Sequence, residues 1–127
     1  MKQTLKNIVI VILGIIIGMI VNIGLIILGG TIFVLPENFE PMNAMNWDIK
    51  YFIFPFLAHS IGTLSGAFVV SKLSKKSNII MPLIVGLYFL SGGIYMVTIL
   101  PAPTWFVLLD VILGYIPMAL LGWKISK

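Results

Sequence analysis

The chain of 127 residues contains no cysteine, one histidine and four acidic residues, and only 9% of it is charged. Without Cys there is no disulfide, no thiolate zinc site, no iron–sulfur cluster and no thiol nucleophile. One His beside four scattered acids makes no cluster for a transition metal, so no metal is expected. No Gly-rich phosphate cradle is present, and no cofactor is expected either. All eight basic residues are Lys, which removes bidentate Arg recognition of phosphate or carboxylate. A soluble domain carries about 25% charged residues. This chain cannot clothe a water-facing surface, which excludes a soluble enzyme, a nucleic-acid-binding domain and a disordered tail.

What is present is apolar length. Hydrophobic residues make up 60% of the chain and mean hydropathy is +1.14. Four apolar segments stand out, Ile8–Gly30, Tyr51–Val70, Ile79–Leu100 and Thr104–Trp123. Each has about 20 residues or slightly more, enough to cross a hydrocarbon core of roughly 30 Å. Backbone groups in lipid must be satisfied within their own segment, so these are helices. The breaks 71–78 and 101–103 are short, which makes consecutive helices antiparallel neighbours. The expected fold is all-α: one transmembrane domain over residues 1–127, a four-helix bundle with an outer loop at 31–50.

Lys placement sets the direction. Lys2, Lys6, Lys72, Lys75, Lys76, Lys124 and Lys127 fall on one side of such a bundle and Lys50 alone on the other. The positive-inside rule then puts both termini in the cytoplasm. Trp47, Tyr51 and Trp105 mark the outer interface and Trp123 the inner one. The first apolar run is too long for a cleaved signal and reads as a retained helix. Asp48, Asn78 and Thr104 are candidate N-caps. Pro55 and Pro117 predict kinks, whereas Pro82 falls in a first turn. The loop 36–47 (PENFEPMNAMNW) is expected as an ordered cap on the bundle end rather than a lid on the membrane face.

Polar residues within the spans carry the most information, because each is costly in lipid unless paired. Gly14, Gly18 and Asn22 share a face of the first span; His59, Gly62, Thr63 and Gly66 share one of the second. Tyr88, Ser91, Tyr95 and Thr98 form a stripe on the third span, and Asp110, Gly114 and Pro117 mark the fourth. His59 and Asp110 each lie roughly 9–12 Å below the outer boundary, with Asn22, Ser91 and Tyr95 near that level. The single imidazole and the single membrane acid are therefore expected to meet, with Asn22, Tyr95, Ser91 and Thr63 completing a substrate- or proton-binding site. Such a pair titrates as a unit and can bind or relay a proton; the bland reading is a tether between helices. Gly14, Gly18, Gly62, Gly66 and Gly114 are expected in helix packing. A Ser60–His59–Asp110 hydrolase is not the expectation, because Ser60 points about 100° away from its sequence neighbour. With no catalytic set in view, enzymatic activity is not the expectation.

Several strings carry a likeness. Asn22-Ile-Gly24 with Gly29-Gly30, Phe54-Pro55-Phe56-Leu57-Ala58-His59 running into Gly62-Thr63, Pro101-Ala102-Pro103-Thr104-Trp105-Phe106 with Asp110, and Tyr115-Ile116-Pro117-Met118-Ala119 resemble an uncharacterised family of small four-helix bacterial integral membrane proteins. The resemblance spans nearly the whole chain. It implies the fold and a multi-pass protein of a bacterial inner (plasma) membrane, and it supplies no activity. Small multidrug exporters fit less well, since their membrane carboxylate lies in the first helix, where this chain has Asn22. The eicosanoid and glutathione metabolism membrane family uses Arg-rich sites, and this chain has no Arg.

Two functions compete. In the first, His59 and Asp110 form a protonatable site in the outer half of the bundle that handles a small molecule, ion or proton. Because four helices rarely enclose a pathway alone, this implies a homo-oligomer. In the second, the chain is a non-catalytic accessory subunit or scaffold that binds a partner membrane protein. The lipid bilayer is a partner in both, and nucleic acid in neither.

Overall fold

The computed structural model describes residues 2–75 and 78–127. Lys76, counted above among the inner-side lysines, lies outside the described residues. Long runs of Ile, Leu, Val and Gly form α1 (Lys2–Ile32), α2 (Ile53–Leu73) and α3 (Ile80–Ile99), followed by the shorter α4 (Thr104–Leu113) and α5 (Ile116–Ile125). A single 3-10 turn, Ile49–Phe52, leads into α2. No strand occurs among the described residues. Taken with that turn, and with α4 and α5 as one broken rod, the chain has four helices long and apolar enough to cross a membrane.

Element ends follow local chemistry, with some departures from expectation. α1 starts at Lys2 and runs 31 residues, so the charged start belongs to the helix. Asp48 caps the 3-10 turn, accepting from the Lys50 N–H. Ile79, not Asn78, holds the N-cap position of α3, and Asn78 Oδ1 accepts from the Ile80 N–H at 3.0 Å from one residue further out. Thr104 is no cap; Pro103 precedes the helix in that position and Thr104 is its first residue. Pro55 is the third residue of α2, so it sits in the first turn and does not interrupt a helix interior.

Pro117 acts more strongly than a kink. It cannot donate to the carbonyl of Leu113, and its ring crowds that carbonyl. The rod opens there: α4 closes at Gly114, Tyr115 takes φ −126° and ψ −74°, and α5 begins with Pro117 in its first turn.

The bundle is built around α2, the most buried helix, whose inner face carries Ala58, Gly62, Thr63, Gly66, Ala67 and Val70. α1 lays Gly14 and Gly18 against it. A Cβ on Gly66 would stand 2.6 Å from the Gly14 carbonyl oxygen, and one on Gly18 would stand 2.7 Å from that of Gly62. The two backbones touch, an approach that small residues alone permit. Partner numbers fall along α2 as they rise along α1: Gly14 meets Gly66, Gly18 meets Gly62 and Gly29 meets Phe54. Gly86 of α3 meets Ala119 of α5, and Gly122 of α5 meets α2 at Leu64 and Ala67.

Packing is densest at one end. Ile10, Val70, Met81 and Val85 form the apolar core there, with Val11, Ile15 and Phe89 against it. Further along α3 no residue beyond Gly86 is buried. At the other end the loop forms the expected ordered cap. Phe39 stacks on Trp47 at 4.8 Å, Trp47 meets Phe52, and Phe52 lies against Trp105 and Phe106. The Ala44 N–H donates to the Pro101 carbonyl at 2.8 Å, which ties the loop to the α3–α4 connection.

Gly66→Ala is expected to cost about 1–3 kcal/mol, the usual range for overpacking. Gly24→Ala, whose Cβ meets nothing within 4 Å, should stay within about 0.5 kcal/mol of the parent. Unfolding in mixed micelles of increasing denaturing detergent reads both.

Candidate functional site

His59 projects from the α2 face that follows the 3-10 turn, and Asp110 from the last turn of α4. They meet: His59 Nδ1 and Asp110 Oδ1 are 2.8 Å apart. With Asp110 ionised, its carboxylate can only accept, and Nδ1 then carries the proton and donates it. The second carboxylate oxygen is also engaged, because the Tyr115 hydroxyl donates to Oδ2 at 3.1 Å. The imidazole and phenol rings face each other, with centroids 5.8 Å apart and planes 24° from parallel. Asp110 is thus clasped between a ring from α2 and a ring from the α4–α5 break.

Supports behind these groups hold their orientation. Thr63 Oγ1 donates to the His59 carbonyl at 2.7 Å, within the α2 backbone. Gly93 of α3 makes room for Tyr115, since a Cβ there would lie 2.7 Å from Tyr115 Cζ. Gly114 closes α4 through an N–H bond to the Asp110 carbonyl at 2.8 Å, and a Cβ on it would press on Asp110 itself. Gly114 therefore serves the break and not the interhelical contact expected for it, unlike Gly14, Gly18, Gly62 and Gly66.

The cluster opens into a cavity of about 680 Å³. Asn22 of α1 lines it, as do Phe89, Gly92 and Tyr95 of α3, Phe106 of α4 and, from the cap side, Trp47. Tyr88, Gly92 and Tyr95 both line the space and are exposed, so the cavity opens beside α3. Exposure is uneven within the cluster: the His59 side chain is 29% accessible and that of Asp110 8%, while Tyr115 is 2% accessible as a residue. Within the cluster the imidazole is the group most open to the cavity.

Of the six residues expected in the site, His59 and Asp110 bond directly, and Asn22 and Tyr95 line the adjoining cavity without touching the pair. Thr63 lies behind His59 and bonds its backbone. Ser91 turns away; it is exposed and its hydroxyl donates to the Tyr88 carbonyl at 2.7 Å. In a helix, a Ser or Thr hydroxyl satisfies itself on a carbonyl three or four residues back, and Thr98 does the same with Tyr95.

Tyr115 is the residue that the sequence reading missed. Five residues along a continuous helix amount to about 140° of net rotation, which puts Tyr115 far round from Asp110. Only the break before Pro117 brings its hydroxyl back, and Pro117 was the available signal. Among the described residues no group of three His, Cys, Asp or Glu could hold a metal ion.

Comparison of the chain with protein-family models, with curated proteins and with solved structures finds no match in any of the three.

Tyr115→Phe leaves Asp110 Oδ2 without its donor and should destabilise the protein by about 1–3 kcal/mol. In an Asp110→Leu background the same change should cost less, with a coupling of at least about 0.5 kcal/mol in a double-mutant cycle. Additive costs would mean that the hydroxyl does not act through the carboxylate.

Proposed function

We propose that the chain is a multi-pass protein of a bacterial inner membrane, with antiparallel neighbouring helices and both termini cytoplasmic. In its outer half the His59–Asp110–Tyr115 cluster forms a protonatable site that handles a small molecule, an ion or a proton. The lysine distribution supports the orientation. The exterior of α1, α3 and α4 supports the setting, since Ile12, Ile16, Ile20, Ile84, Leu108 and Ile112 all point outward and suit acyl chains better than water.

The observation that carries the functional reading is a buried carboxylate bonded to a partly exposed imidazole at the edge of an open cavity. A pure tether needs neither ionisable group, because intramembrane hydrogen bonds contribute about 0.6 kcal/mol on average. A tether also has no use for a cavity onto which the imidazole stays partly open. The cavity size falls in the usual range of small-molecule sites, roughly 300–1,000 Å³. The accessory-subunit reading draws on the outer loop or on lipid-facing glycines as partner contacts, and of the glycines Gly14, Gly18, Gly62 and Gly66 are already used within this chain.

Proton entry into vesicles tests the reading. Protein reconstituted in liposomes around a pH-sensitive dye, with a potassium diffusion potential imposed, should acidify the lumen faster than protein-free liposomes. His59→Ala and Asp110→Asn should bring the rate down to the protein-free leak. Equal rates in the parent and both variants would remove proton handling from the site.

A further inference from the structure

Resting on the reading of this cluster as a ligand-facing site, we propose that the cavity binds a neutral, apolar-bodied phenol, whose hydroxyl donates to Nε2 of His59. Hydrogen-bond accounting selects this class. Both oxygens of Asp110 already accept, one from His59 and one from Tyr115, and the carboxylate is almost closed off. An ammonium or guanidinium ligand would find no free acid, since Asp110 is the only acidic residue lining the cavity. An anionic ligand would find no Lys there and would face the Asp110 charge.

A neutral ligand remains, and His59 dictates its polar end. With Asp110 ionised and the imidazole neutral, Nδ1–H goes to the carboxylate and Nε2 is left as an acceptor. It makes no hydrogen bond among the described residues, and neither does the Asn22 amide that lines the same space. The carboxylate behind the imidazole makes Nε2 a stronger acceptor. That favours an acidic hydroxyl over an aliphatic one. Trp47, Phe52, Phe89 and Phe106 supply aromatic faces and edges for a ring, and the opening beside α3 gives an apolar body a route in.

Because His59 is the only histidine, its reaction with diethyl pyrocarbonate, followed by the ultraviolet absorbance of the carbethoxylated imidazole, reports on this site alone. The experiment compares the purified full chain with para-octylphenol, with its methyl ether, and with octylammonium. The phenol should slow modification about tenfold or more, roughly the worth of one good hydrogen bond, and the ether and the ammonium should not. Equal protection by the ether would overturn the proposal in favour of unspecific apolar filling. Stronger protection by the ammonium would overturn it in favour of a cation site. No protection by any of the three would overturn it as well.

Those failures are distinguishable from failure of the protonatable site, which vesicle acidification reads without any added ligand. Gly92→Leu gives a second arm. A Cβ at Gly92 meets nothing within 4 Å and the residue lines the cavity, so the variant fills the space while His59, Asp110 and Tyr115 stay as they are. It should abolish protection by the phenol; retained protection would place the phenol elsewhere and overturn the proposal.

Discussion

A carboxylate enclosed among apolar helices needs donors for both of its oxygens, and the arrangement of half this bundle follows from meeting that need. Asp110 stands on α4, His59 on α2 and Tyr115 at the head of α5. Their bonds of 2.8 and 3.1 Å join three elements at one point. Leaving either oxygen unpaired would expose a buried charge to its full desolvation penalty. The break at Gly114 and Tyr115 is therefore no defect, because it turns the second donor toward the acid.

The two ends of the molecule solve different problems. At the end near Ile10, Val70, Met81 and Val85, side chains interlock and glycine carbonyls touch across α1 and α2. That rigidity fixes the position of His59, which stands one turn before Gly62. At the other end α3 is held less closely, and an aromatic cap of Phe39, Trp47, Phe52 and Phe106 covers the space that is left. A close-packed half and a hollow half in one small chain suit the proposed site, which needs a frame for the polar atoms and room for a guest.

Selectivity in the proposed membrane setting follows from the same division. Both oxygens of the Asp110 carboxylate are engaged by donors, so what the proposed guest would meet is the imidazole, one amide and aromatic rings. In the proposed site the charge would orient and strengthen the imidazole and would not itself bind. A His without the acid behind it would present either tautomer, and the same cavity would then lack a defined polar end.

Much of this was open to reading from residues alone. Apolar runs of the right length dictate helices, because no other backbone arrangement satisfies itself in so apolar a chain. Four-residue glycine spacing marked the faces of α1 and α2 that touch, and matching depth paired His59 with Asp110 across 51 positions. Tyr95 lines the cavity without touching the pair, and the Ser91 and Thr63 hydroxyls bond backbone carbonyls, because helical periodicity gives a face and a height but not whether a hydroxyl prefers its own backbone. Tyr115 was out of reach, since its rotation into the site depends on how far the helix opens ahead of Pro117. The sequence by itself determined the helices, their glycine seams and the level at which the two ionisable groups sit, all of which are local or periodic properties of the chain. The tertiary structure alone decided the second donor to Asp110, the free nitrogen of His59 and the cavity before it, because those arise only when separate helices are set against one another.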